Sequence, residues 1–268
     1  MPKYFAKKDI YDRNGRLLLS KGQKMTDAII AKLKSLGNYS PEELINFDDK
    51  QSVILTSTVQ AFKERVNIRN DLVLEQSNKV LSTIIFESKT KPWWIYVNAL
   101  GNYVDWLYTH SIDVAMISLM MAVELGYRDE ALMNIGLGAF LHDVGKLLIP
   151  KSIIQKPGPL TEKEMVYMRQ HCELGMSSLI PFNLSKECTD IVLQHHERLD
   201  GSGYPNRLKR NEICRDARIV MIADAIDAIT SGRPYKQSRD MDIAIKILRN
   251  EGKKYSQELI TLLEEMLE

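Results

Sequence analysis

A chain of 268 residues with 44% hydrophobic and 26% charged residues has the make-up of a globular protein, with room for one large domain or a main domain and a small appendage. The formal net charge is only +1, so no global field recruits polymeric nucleic acid or an anionic membrane surface, and an anionic ligand must be drawn by local charge. Three cysteines, Cys172, Cys188 and Cys214, are odd in number and unclustered, which argues against a disulfide framework and for reduced thiols.

The opening stretch, Met1 to Lys8, lacks the apolar core of a signal peptide. No apolar run reaches the roughly 18–20 residues that span a bilayer. The longest, around Val114 to Val123, reads as a buried helix, so the expectation is a soluble cytoplasmic protein without membrane insertion. Asn14-Gly15 between two strand-like runs favours a tight β-hairpin turn. Thr26 can then cap a short helix carrying Ile29, Ile30 and Leu33 that stops near Gly37. Residues 1–50 thus read as a small N-terminal β-hairpin/helix unit, a packing appendage before it is a sensor, with a polar connector over 40–52.

Residues 51–268 read as a helical body. From Leu55 to Ser88 there is no proline or glycine, and Val59, Phe62, Val66, Leu72, Val73, Val80 and Ile84 keep a loose helical period. One long helix or two shorter ones fit, able to join the appendage to the body and to mediate homodimer contacts. Lys91-Pro92 breaks the run, and Trp93 and Trp94 start a core helix. His110, Val114, Ile117 and Met121 share one face of a helix ending near Gly126, and Leu132, Ile135, Ala139 and His142 mark the face of the next. Lys146, four residues on from His142, would project from the same face. Pro150, Pro157 and Pro159 make a loop; Thr161 with Glu164 is a capping box opening a helix that carries His171. A helix over Lys186 to Glu197 sets Cys188, Ile191, Val192 and His195 at core spacing. An apolar helix over Ile219 to Ile229 contains Asp224, and amphipathic helices at 240–250 and 256–267 close the chain.

The five histidines, His110, His142, His171, His195 and His196, gather in under a third of the chain, several on inward faces. One core histidine is ordinarily a packed, hydrogen-bonded residue, but five imidazoles without partners would cost several kcal/mol. Asp224 inside an apolar run, and Asp143 beside His142, pose the same problem. A metal cluster satisfies them together. With Asp143 bridging, these residues supply about eight bonds of the roughly twelve that two six-coordinate metals need, leaving positions open for chemistry. After His195-His196-Glu197, the run Asp200-Gly201-Ser202-Gly203-Tyr204-Pro205 makes a sharp loop in which Tyr204 offers a flat face to a base. Arg233 and Lys236 add two cations downstream, which alone would be ordinary surface.

The set His142-Asp143-Val144-Gly145-Lys146, His171, His195-His196-Glu197 to Asp200-Gly201-x-Gly203-Tyr204-Pro205, and Asp224 resembles the HD-GYP phosphodiesterases, a branch of the HD phosphohydrolase superfamily. The resemblance spans about residues 100–268. It implies an all-α, HD-type helical bundle and hydrolysis of cyclic di-GMP to pGpG or on to GMP by a hydroxide held between two divalent metals, iron or manganese. It implies His110, His142, Asp143, His171, His195, His196 and Asp224 as metal ligands, with Asp143 bridging. Lys146, Arg233 and Lys236 would hold a phosphate, Lys146 assisting the leaving oxygen, and Asp200, Gly201, Gly203, Tyr204 and Pro205 would shape the nucleotide pocket. Glu197 would orient a histidine ligand or form a surface salt bridge. Trinuclear relatives carry a glutamate four residues before the histidine matching His110; Trp106 stands there, with Asp105 beside it, which implies two metals. Arg207 and Arg210 stand where many members have glycines, and with Lys209 they form a basic cluster that either steers the dinucleotide weakly or is a solvated loop. Other cyclic dinucleotides such as cyclic GMP-AMP, nucleotide monoesters, and a cyclic di-GMP-binding adaptor with little turnover are the alternatives.

Overall fold

The computed structural model describes residues 4–6, 10–11, 17–19, 24–25, 44–46, 49–66, 68–89, 91–231 and 240–267. The chain divides into two units, Met1–Ser57 and Thr58–Glu268. In the first, β1 (Tyr4–Ala6) pairs antiparallel with β4 (Lys24–Met25) and with β5 (Leu44–Asn46), and β2 (Ile10–Tyr11) pairs with β3 (Leu17–Leu19). The turn at Asn14-Gly15 and the helix expected after Thr26 lie outside the described residues. Strand β5 falls where a polar connector was expected: Leu44-Ile45 supplies a short strand between the polar flanks.

The region expected as one or two helices holds two, α1 (Asp49–Arg65) and α2 (Asp71–Ser88). Asn70 stops the run, its side-chain oxygen accepting from the Leu72 N–H at 3.1 Å and so capping α2. Val59, Phe62, Val66, Val73 and Ile84 are buried as expected, together with Leu74, Leu81 and Ile85, whereas Leu72, placed on the same face, is 73% exposed. Helices α3 (Trp94–Tyr103), α4 (Asp105–Glu124) and α5 (Asp129–Leu141) follow. Next come a 3-10 turn at Val144–Leu148, α6 (Lys151–Ile154), α7 (Glu162–Arg169), α8 (His171–Leu179), α9 (Lys186–Gln194), α10 (Arg215–Thr230), α11 (Met241–Asn250) and α12 (Gln257–Met266). The helical body is the all-α bundle expected.

Helix α4 is its axis: α2, α3, α5 and α10 all pack on it. Its stretch Trp106–Glu124 is long and apolar enough to cross a membrane by length and composition, which no run was expected to be, yet 89% of it is buried inside the body. Burial on all sides is what a helix apolar around most of its circumference meets in the core of a large domain.

Candidate metal centre

The site is assembled where α4, the end of α5, the start of α8, the end of α9 and the middle of α10 converge. Helix α5 stops at Leu141, so His142 caps it and Asp143 sits in the turn before the 3-10 segment. Gly145 in that segment has a packing reason. A Cβ there would lie 1.9 Å from the His171 carbonyl oxygen and 2.5 Å from the Gly175 nitrogen. Only a glycine lets the turn rest on the first turn of α8, and this contact brings Asp143 beside His171. Because the helix ends before His142, Lys146 does not continue a helical face with it as expected. It instead reaches back to Asp143, Nζ to Oδ2 at 2.5 Å. The helix expected to run from Thr161 through His171 is likewise divided: the capping box of Thr161 and Glu164 opens α7, and His171 begins α8 after a turn at Gln170.

Asp143 is fully buried and divides its oxygens between two groups of imidazoles. Oδ2 lies 3.4 Å from His110 Nε2 and 3.3 Å from His142 Nε2. Oδ1 lies 3.5 Å from His171 Nε2 and 3.9 Å from His195 Nε2. Asp224 joins the groups, its Oδ1 3.3 Å from His110 Nε2 and its Oδ2 3.6 Å from His196 Nδ1. The ligand atoms fall into two sets, Asp143 with His171, His195 and His196, and His110 with His142 and Asp224, each within 4.8 Å of one another. Two clustered sets of this kind suit a dinuclear metal centre.

Hydrogen bonds behind the rings aim them. His110 Nδ1 donates to Asp227 Oδ2 at 2.6 Å, His142 Nδ1 to the Ala139 carbonyl at 2.6 Å, His171 Nδ1 to the Met168 carbonyl at 2.6 Å and His195 Nδ1 to the Val192 carbonyl at 2.9 Å. An acceptor behind Nδ1 keeps the proton there and leaves the Nε2 lone pair facing the centre. His110 Nε2, His142 Nε2 and Asp143 Oδ1 are buried without a hydrogen-bond partner. Each such orphan costs about 1–3 kcal/mol, and a divalent cation is a partner that suits all three. On that ground the residues present fit a metal pair.

At five of the residues, His171, His195, His196, Asp143 and Asp224, the electrostatics point the same way. Burial, with the Lys146 charge, pushes His171 down to about 4. Burial, with neighbouring imidazoles, holds His195 and His196 well below the ordinary imidazole value, so these rings stay neutral and able to ligate. Burial alone would raise Asp143 and Asp224, but Lys146 and His142 beside the first, and His110 and His196 beside the second, hold both well below the carboxylate range. Burial would lower His110, but Asp143, Asp224 and Asp227 around it raise it well above the usual value.

The loop after His196 forms a wall of the site. Gly203 packs backbone to backbone: a Cβ there would meet Arg198 N and Glu197 Cα at 2.4 Å. Glu197, wholly buried, neither orients a histidine nor makes a surface salt bridge as expected. Its Oε1 accepts from Asn206 N at 2.7 Å and its Oε2 from Leu208 N at 3.0 Å, tying down the loop that carries Tyr204. A carboxylate with two acceptor oxygens is what two adjacent loop amides require. Asp200 is spent within the loop, accepting from Ser202 N and Oγ at 2.9 and 2.6 Å. The Tyr204 ring lies 4.8 Å from the His196 ring, with the Arg169 guanidinium 5.4 Å from its centroid. A cavity of about 540 Å³ opens beside this loop, lined by Arg169, Gln170, Glu173, Gly203, Tyr204 and Arg207 among others.

Structure thus brings together His110, His142, Asp143, Lys146, His171, His195, His196 and Asp224, with Tyr204 beside them; Arg233 and Lys236 lie outside the described residues. Trp106 sets its ring edge-on to His110 at 6.2 Å. Sequence reasoning missed Asp227, Asp113, Arg65 and Arg169. Asp227 carried a signal, since it is a second carboxylate in an apolar helix one turn after Asp224.

A family model described as "HD domain" matches residues 95–259. The chain is 39% identical over 168 residues to a cyclic di-GMP phosphodiesterase of Thermotoga maritima, covering 61% of this chain and 46% of that protein. It is 37% identical over 157 residues to 3'3'-cGAMP-specific phosphodiesterase 1 of Vibrio cholerae, covering 57% of this chain and 36% of that protein. The chain therefore spans less than half the length of either relative. Among solved structures, the HDG"Y"P protein Bd1817 of Bdellovibrio bacteriovorus superposes with a TM-score of 0.54 at 16% identity, over 98% of this chain and 93% of that one, a likeness of fold.

Proposed function

Because the chain belongs to the HD domain family, we propose that its helical part, residues 51–268, is a metal-dependent phosphodiesterase that hydrolyses a cyclic dinucleotide, cyclic di-GMP in the first place. The observation that carries this reading is the buried Asp143 carboxylate, whose two oxygens face two separate sets of metal-ligand residues. His110, His142 and Asp224 would hold one metal, His171, His195 and His196 the other, and Asp143 both. Iron or manganese suits this imidazole-carboxylate set. When bound, such a pair lowers the pKa of coordinated water and offsets charge on a phosphodiester.

The chain's own residues do the rest. The hydrogen bonds at Nδ1 of His110, His142, His171 and His195 keep the rings aimed and in one tautomer. Lys146 supplies a buried ammonium that can turn from Asp143 toward a phosphate oxygen and assist the departing 3′-oxygen. Glu197 holds the loop so that Tyr204 and Arg169 form one wall for a base, and Arg207 adds positive charge at the mouth.

Relatives acting on cyclic di-GMP and on cyclic GMP-AMP are both similar to this chain, so the choice of base is the finer part of the proposal. The test is to load anaerobically purified protein with iron or manganese, offer each dinucleotide in turn, and resolve products by chromatography beside Asp143→Ala. Faster turnover of cyclic di-GMP that disappears in Asp143→Ala is the expected result. Faster turnover of cyclic GMP-AMP would reassign the substrate, and tight binding without hydrolysis under either metal would make the protein a receptor.

A further inference from the structure

Behind the metal centre a chain of contacts runs back to α1. Arg65, in the last turn of that helix, donates from Nη2 to Asp113 Oδ2 at 2.7 Å and from Nη1 to Ser231 Oγ at 2.5 Å. The Ser231 hydroxyl in turn donates to Asp227 Oδ1, and Arg65 Nη1 stands 3.8 Å from that same oxygen. Asp227 Oδ2 is then left facing His110 Nδ1 at 2.6 Å. Asp113 and Asp227 are 6% and 1% exposed, so two buried carboxylates share one guanidinium. The second oxygen of Asp113 has no hydrogen-bond partner, and the side chain is held by Arg65 and by its contact with Asp227.

We propose that Arg65 is a positioning residue for the metal centre, fixing the Asp227 carboxylate through Ser231 so that His110 presents Nε2 to the set formed with His142 and Asp224. The inference rests on the metal-centre reading above and concerns a residue on a helix that contributes no ligand. The planar guanidinium fork fits the task, because it engages Asp113 and Ser231 at once in fixed directions. Lysine, a single point charge on a flexible stem, can neutralise Asp113 but cannot set both.

The test uses the full chain as Arg65→Met, Arg65→Lys and, as control, Lys63→Ala, an exposed residue of the same turn. Manganese binding is followed by titration calorimetry and elemental analysis, with helix content by circular dichroism. Wild type and Lys63→Ala should bind two manganese ions. Arg65→Met should keep one tight ion and bind the other roughly 10- to 100-fold more weakly, with Arg65→Lys between them and helix content unchanged. Two ions held at wild-type affinity in Arg65→Met would overturn the proposal. So would equal loss of both ions in the two Arg65 variants together with helix content, since a merely structural role predicts that. Should wild type bind no metal, the metal-centre reading fails instead. The ¹⁵N shifts of the His110 imidazole in metal-free protein then decide: a change in Arg65→Met but not in Lys63→Ala supports the positioning role, and no change sinks it.

Discussion

Asp143 and Glu197 use the two oxygens of a buried carboxylate in different ways. Asp143 faces two sets of imidazoles, so Asp143→Asn, which keeps one oxygen and turns the other into a donor, should leave at most one set able to hold a metal. Elemental analysis should fall from two ions to one or none, and two retained ions would show that Asp143 does not bridge. Glu197 serves the backbone instead. Glu197→Gln leaves either Asn206 N or Leu208 N facing an amide donor, at a cost of about 1–3 kcal/mol. Hydrogen exchange at those two amides should quicken and KM for the dinucleotide should rise, while metal content stays at two. Unchanged exchange would remove Glu197 from its role in the loop.

At the scale of elements, the decisive contact is the 3-10 turn against α8. Gly145→Ala places a methyl against the His171 carbonyl and Gly175 nitrogen, which are backbone atoms that cannot rotate away. The expected cost is about 1–3 kcal/mol in stability, seen as a lower Tm, with loss of metal because His171 is pushed from Asp143. Gly126→Asn, after α4 at a φ of 82° with open space around it, should be tolerated, since asparagine accepts the left-handed conformation. The capping box of α7 is a local feature by contrast. Thr161→Ala should cost about 1 kcal/mol and leave metal stoichiometry intact.

Over the whole molecule, the buried site makes stability depend on pH. His171, His195 and His196 have folded-state values below the ordinary imidazole value, and Asp143 and Asp224 lie below the carboxylate range. As pH falls below about 6.5 the unfolded chain takes up protons on three histidines that the folded site refuses, so the folded state loses stability down to about 4, the His171 value. Nearer 4 the two aspartates add the same sign. His110, raised above its ordinary value, takes up its proton in the folded state above pH 6.5 and adds no slope below it. Asp113, which burial and Asp227 push up to about 7, is protonated in the folded state within this window and opposes the three histidines. Metal-free protein should therefore show a Tm that declines steadily between pH 6.5 and 4. Saturating manganese at neutral pH should raise Tm, each ion adding about 2.7 kcal/mol of stability at 100 times its Kd. Chelation should reverse the gain, and an unchanged Tm would mean that the folded site holds no ion.

The sequence by itself determined the helical body, its last helices nearly to the residue, the capping box at Thr161, and the identities of the clustered histidines and aspartates. These are properties of near neighbours: apolar period, capping chemistry, and ionisable residues stranded in apolar runs. Only the tertiary structure decided that Lys146 turns back onto Asp143, that Glu197 serves the loop, and that Arg65 reaches the site through Asp227. The physical reason is separation along the chain. His110 meets Asp227 across 117 residues and Arg65 meets Asp113 across 48, contacts that no local period encodes and that exist only once α1, α4 and α10 are packed together.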